Sequence, residues 1–140
     1  MSISVLTYGI FDVFHIGHLR LLERARRLGD KLYVGVSTDE FNIQKGKIST
    51  ICYEDRIEII SALKVVSHAF PEENWNQKVN DIRRFGIDIF VMGDDWSEKF
   101  DFLKSHCEVC YLSRTPDISS SKLKISIRKE IIEKEASRFD

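Results

Sequence analysis

Between Ile3 and Leu112 the chain alternates short apolar runs with longer amphipathic ones, and this alternation restricts its fold more than any other feature. Ile3–Tyr8, Leu32–Val36, Val65–Phe70, Asp88–Met92 and Cys107–Leu112 read as strands. Between them lie helical patterns. Gly17–Leu28 places Leu21, Leu22, Ala25 and Leu28 at helical spacing, and Gly29 is positioned to end it. Tyr53–Leu63 carries Ile57, Ile60 and Leu63 on one face, Trp75–Phe85 turns Val79 and Ile82 inward, and Trp96–Lys104 reads as a short helix. Strands separated by helices imply βαβ units, hence a Rossmann-like α/β domain with a parallel five-stranded sheet and helices on both faces. Pro71 is expected to stop the third strand, and Thr38–Thr50, containing Lys45-Gly46-Lys47, to form a polar, mobile loop.

The 140 residues suit one domain, 1–140, with no linker, repeat or low-complexity tract. A final helix is expected from about Ser120. It carries Ile127, Ile131 and Ile132 on one side, suited either to the core or to a dimer interface, and Ala136–Asp140 are expected to fray. The net charge of −1 gives no broad footprint for nucleic acid or a membrane surface. No apolar run approaches the roughly 20 residues of a spanning helix. The N-terminus lacks a basic region ahead of its apolar run, so the expected compartment is the cytoplasm. Three cysteines argue against a disulfide framework, and Cys107 and Cys110, three apart on a strand, should point to opposite faces.

Open parallel sheets bind ligands at the carboxyl ends of their strands. The first such end is Gly9-Ile10-Phe11-Asp12, followed by His15-Ile16-Gly17-His18. Gly9 and Gly17 would let a ligand approach the backbone, and the amides opening the helix favour an anion. His15 and His18, half of the four histidines, flank Gly17 and can converge on one phosphate as hydrogen-bond donors. Two other readings stand beside this one. In one the pair opens a helix with no ligand; in the other it binds zinc with Asp12, the one nearby candidate for a third ligand. Arg114-Thr115-Pro116-Asp117-Ile118-Ser119-Ser120-Ser121 follows the last strand. There a guanidinium and a serine-capped helix start could form the second side of a phosphate clamp. Lys45 and Lys47 could fold over the same pocket as a lid that excludes water.

These residues resemble the cytidylyltransferase family, within the wider H-x-G-H nucleotidyltransferase superfamily. The likeness rests on Tyr8–Asp12, His15–His18, Ser37–Asn42, Tyr53–Arg56, Val91–Trp96, Lys99–Lys104 and Arg114–Ser119, nearly the whole chain to about Lys124. It implies transfer of CMP from CTP to a phosphorylated acceptor by in-line displacement, with Mg²⁺ as the triphosphate's counter-ion and a homodimer as the assembly. Glycerol 3-phosphate is the expected acceptor, and the product CDP-glycerol would serve teichoic acid or capsule synthesis. Phosphoethanolamine, a sugar phosphate, FMN with ATP, or a sensor without turnover are the alternatives.

By the same resemblance His15 and His18 act at the α-phosphate, joined by Lys45 and Arg114. Gly9, Ile10, Phe11, Asp12, Gly17, Lys47, Lys64 and Asp95 belong to the nucleotide site. Thr115, Ile118, Ser119, Ser120 and Ser121 hold the β- and γ-phosphates. Lys45, Trp75 and Lys78 lie near the acceptor. The chain departs from the family where Lys64 replaces an arginine, Ser67 an acidic residue, and Pro116-Asp117 a glycine-containing turn.

Overall fold

The computed structural model describes residues 2–113. Five strands, β1 (Ser4–Gly9), β2 (Lys31–Ser37), β3 (His68–Glu72), β4 (Ile89–Gly93) and β5 (Glu108–Leu112), form one sheet in the order β3-β2-β1-β4-β5. Every pairing is parallel. The helices are α1 (Ile16–Arg26), α2 (Asp39–Gln44), α3 (Tyr53–Ala62) and α4 (Lys78–Phe85). The expected α/β architecture is therefore present.

Alternation along the strands builds two cores. Val5, Leu32, Val34, Val36 and Val91 pack on Leu22 and Ala25 of α1 and Ile60 of α3. Leu6, Tyr8, Phe90 and Met92 face the other way, against Ile82 of α4 with Phe100 and Leu103. Helices thus cover both faces, as parallel sheets require. Cys107 and Cys110 pack against opposite cores, as their spacing implies.

Several local expectations are corrected. The segment 38–50 is not all loop, because it contains α2. Thr38 caps that helix by accepting the Phe41 N–H at 3.1 Å, Asp39 and Glu40 sit in its first turn, and Phe41 is fully buried. One buried apolar residue is too weak a periodic signal to reveal so short a helix. Pro71 does not stop β3 but lies within it, paired with Val36. β3 is at the edge of the described sheet, where proline's missing N–H is tolerated. The strand begins at His68, because 63–66 form a turn closed by Val66 N–H on the Leu63 carbonyl.

α4 starts at Lys78 rather than Trp75, since the Gln77 carboxamide draws the Glu73 and Asn74 amides into a turn. The expected helix from Trp96 to Lys104 is instead two 3₁₀ turns, Asp94–Trp96 and Asp101–Ser105, separated where Glu98 takes a left-handed φ of 71°. Gly29 does not cap α1, which ends at Arg26. A Cβ at Gly29 would lie 2.6 Å from the Ile3 carbonyl, so glycine is needed for close passage past β1. The expected helix from Ser120 lies outside the described residues.

In this strand order the winding reverses between β1 and β4. Such a switch point leaves a crevice at the carboxyl ends of the two strands.

Candidate active site

The turn from β1 to α1 is strained: Phe11 and Val13, neither of them glycine, hold φ values of 53° and 50°. Phe11 folds back into the core at 5% exposure, over Gly9, whose Cβ would stand 2.7 Å from the ring. Gly9 therefore makes room for Phe11, and it also lines the pocket described below. The Phe11 ring meets His18 edge-on, with centroids 5.6 Å apart. Asp12 is buried and accepts the Thr50 and Ile51 amides at 2.7 and 2.9 Å, fastening the segment after α2 to this turn.

His15 is the N-cap of α1. Its Nδ1 accepts the Gly17 N–H at 3.0 Å, while His18 Nδ1 accepts the His15 N–H at 3.2 Å. Each imidazole thus takes the part a carboxylate or amide oxygen plays in a capping box. Of the amides expected to open the helix toward a ligand, that of Gly17 is therefore engaged by His15. The rings stack at 3.9 Å. Burial, then the neighbouring His15, pushes the His18 pKa down to about 4, with Asp12 opposing, and burial lowers that of His15. Both are neutral at pH 7. With each Nδ1 accepting, the hydrogen-bond pattern assigns the remaining proton to Nε2. Two Nε2–H donors result, and that of His15 is buried without a partner among the described residues.

Arg56, 1% exposed, ties together the surrounding chain ends. It donates to the carbonyls of Ile10, Ser37 and Ile51 at 2.7, 2.7 and 2.9 Å, and to Asp39 Oδ1 at 2.7 Å. Burial works against the Asp39 charge, but hydrogen bonds from the Tyr53 amide, Arg56 and Ser49 prevail and lower its pKa.

At the end of β3, buried Glu72 holds two lysines. Its Oε1 lies 3.2 Å from Lys45 Nζ and its Oε2 lies 3.1 Å from Lys78 Nζ. Lys45 also reaches Ser37 Oγ at 3.2 Å and sits 4.3 Å over the Phe41 ring. Lys78 Nζ stands 4.7 Å from Tyr8, 5.5 Å from Phe100 and 5.8 Å from Trp75 ring centres. Tyr8 donates to Asp81 Oδ2 at 2.6 Å, and Gln77 Nε2 donates to the same oxygen.

Of these groups Tyr8, Asp12, His18, Lys45, Glu72 and Lys78 line a pocket of about 620 Å³, within the range of small-molecule sites, while the predicted His15 and Gly17 are not in its lining. It brings together the predicted Gly9, Ile10, Phe11, Asp12, His18, Lys45, Lys47, Trp75 and Lys78. Trp75 is half exposed, its ring edge-on to Phe41. Asp95 lies on the 3₁₀ turn after β4, beside Trp96 of the pocket lining. Lys64 is not brought there. It is exposed in the turn between α3 and β3, at the amino end of the sheet. Ser67, the departure nearby, joins β3 to β2 by accepting the Leu32 N–H. Arg114, Thr115, Ile118, Ser119, Ser120 and Ser121 lie outside the described residues. Ser113, just before them, is held by Arg24 of α1 through its carbonyl at 2.6 Å.

Sequence reasoning missed Arg56, Glu72, Tyr8 and Asp81 as parts of this site. Glu72 had a usable signal, because it ends a strand of a parallel sheet at the carboxyl edge. Arg56 closes the family stretch Tyr53–Arg56, but its place on the helix gave no sign of this role, since an arginine on an amphipathic helix ordinarily faces solvent.

A doubly wound sheet with a neutral histidine pair and a lysine-rich pocket at its switch point defines a nucleotide-transferring α/β enzyme. The cytidylyltransferase-like family model matches residues 6–128. The chain belongs to this family. It is 57% identical over 121 residues to the glycerol-3-phosphate cytidylyltransferase of Bacillus spizizenii, covering 86% of this chain and 94% of that one. It is 50% identical over 120 residues to the enzyme of that name from Staphylococcus aureus, covering 86% and 91%. The FAD synthase of Thermoplasma volcanium is more distant, at 32% over 150 residues and 98% and 99% coverage. Among solved structures, the lipopolysaccharide core biosynthesis protein from Thermoplasma volcanium GSS1 superposes with a TM-score of 0.68 at 27% identity, covering 82% of this chain and 99% of that one.

Proposed function

We propose that this chain transfers CMP from CTP to glycerol 3-phosphate, releasing pyrophosphate and CDP-glycerol. The observation that carries the chemistry is the pair of Nδ1-anchored, neutral histidines. The Nε2–H of His15, buried without a partner among the described residues, is held ready for an anion before any ligand arrives, so little reorganisation is needed when charge develops on the α-phosphate. The choice of CTP and glycerol 3-phosphate is supported by the names of relatives at 50–57% identity, set against 32% for an FAD synthase.

An acceptor phosphate oxygen attacks the α-phosphorus while the bond to the pyrophosphate oxygen breaks in line. The acceptor is already an anionic nucleophile, so the protein's part is positioning and charge stabilisation. Lys45, Lys47 and Lys78 supply positive charge to the reacting phosphates. Arg114 and the segment Thr115–Ser121 are assigned the β- and γ-phosphates by family resemblance. Among the described residues no three acidic, histidine or cysteine side chains gather to hold a metal. Asp12 already accepts two backbone amides. Mg²⁺ belongs to this reading through the family resemblance, as an ion carried mainly by the triphosphate, where it would neutralise phosphate charge.

The homodimer and the role in teichoic acid or capsule synthesis belong to this reading through the family resemblance. No described helix is long and apolar enough to cross a membrane. A pyrophosphate-release assay pairing four nucleotides with a panel of phosphorylated acceptors and FMN tests the assignment. Turnover with CTP and glycerol 3-phosphate supports it. Activity confined to ATP, or none with glycerol 3-phosphate, overturns it. Sedimentation analysis tests the dimer.

A further inference from the structure

We infer that Glu72 is a positioning residue that holds Lys45 and Lys78 side by side as one charged, phosphate-facing unit of the acceptor pocket. This deepens the reading above and rests on it.

Glu72 ends β3 at 3% exposure, and its two carboxylate oxygens are divided between the two ammonium groups at 3.2 and 3.1 Å. A buried carboxylate costs several kcal/mol in desolvation unless it is paired, and here each oxygen has its own cation. The ammonium groups repel one another, and burial opposes their charge. Lys45 reports both effects: burial lowers its pKa, Glu72 raises it, and Lys78 and Lys47 lower it. The other groups facing the cluster are Tyr8 from β1 and Asp81 from α4. Tyr8 stays protonated and is hydrogen-bonded to Asp81, so neither takes the place of Glu72. Within the Glu72–Lys45–Lys78 unit itself, two ammonium charges against one carboxylate leave a single positive charge, suited to a phosphate.

The two lysines are not equally fixed. Lys78 is 4% exposed, within reach of three aromatic rings, whereas Lys45 is 15% exposed at the end of α2. Glu72 is thus the link that ties the lysine carried by the short helix to the lysine set in the core.

The test compares the wild type with Glu72→Gln and Glu72→Asp. Glu72→Gln keeps the shape and removes the charge, so the lysines lose protons at lower pH. The basic limb of kcat/KM for glycerol 3-phosphate should move down by about one pH unit or more, while KM for CTP stays within about twofold. Glu72→Asp keeps the charge but shortens the reach. The basic limb should hold its place while KM for glycerol 3-phosphate rises by about tenfold. Coincident pH profiles for wild type and Glu72→Gln overturn the proposal. If Glu72→Gln does not fold, an unchanged acceptor KM in Glu72→Asp overturns it. A wild type inactive with CTP and glycerol 3-phosphate defeats the functional reading instead. Lysine Cε resonances of ¹³C-lysine-labelled protein, titrated with pH, then still decide Glu72, because Glu72→Gln must lower the midpoints of two lysines.

Discussion

The imidazole of His18 accepts the amide proton of His15, and the same geometry that caps α1 orients the side chain proposed to act at the α-phosphate. Structure and chemistry are joined in these side chains, so substitutions can separate the two. Glutamine at the third helical position can reach back to the N-cap amide as histidine does. His18→Gln is therefore expected to keep near wild-type stability, while His18→Ala loses about 1 kcal/mol with the cap. Both should lose turnover by at least about a hundredfold. Urea denaturation and steady-state assays on the two variants check this. Turnover within about tenfold of wild type in either would remove His18 from the mechanism.

The depressed pKa of His18 has a pH signature. The folded value is about 4, against an ordinary value near 6.5. Between these values the unfolded chain binds the proton and the folded chain does not, so stability rises with pH across that window. Acidification from about pH 6.5 to 4 should progressively destabilise the protein, and His18→Gln should flatten that slope. Unfolding free energies measured every half pH unit would show it, and a variant slope identical to wild type would contradict it.

Arg56 is the mechanical centre of the ligand-binding ends. Arg56→Ala leaves three carbonyls and Asp39 without their guanidinium, and is expected to cost about 3–5 kcal/mol. Arg56→Lys retains charge but cannot serve carbonyls on three segments at once. It should fold yet bind CTP more weakly by about tenfold or more. Calorimetry with CTP is the check, and unchanged affinity in the lysine variant would show that the tie is dispensable for the pocket.

Gly9→Ala tests the packing of Phe11. The new methyl group would overlap a ring that touches His18. Overpacking of this kind costs about 1–3 kcal/mol. Because the displaced ring abuts the histidine, kcat should fall more than KM for CTP rises. A loss confined to stability, with kcat retained, would uncouple Phe11 from the site.

The alternation of apolar runs and helical patterns was enough to specify the five strands and the parallel sheet, since burial of one face per layer is written in local periodicity. H-x-G-H at the first strand end and Lys45 in the segment after the second strand were also legible, because residue type and position nominate them, while Lys78 was named only through the family resemblance. Tertiary structure decided the rest. Only the strand order put the switch point between β1 and β4. Only packing showed that Gly9 serves Phe11, that Pro71 is acceptable because β3 is an edge of the described sheet, and that Lys64 stands at the amino end of the sheet, outside the lining of the pocket. Arg56 and Glu72 acquire their roles from segments 46 and 27 residues away, at Ile10 and Lys45. Such partners are set by burial and charge pairing in three dimensions, which no local pattern encodes.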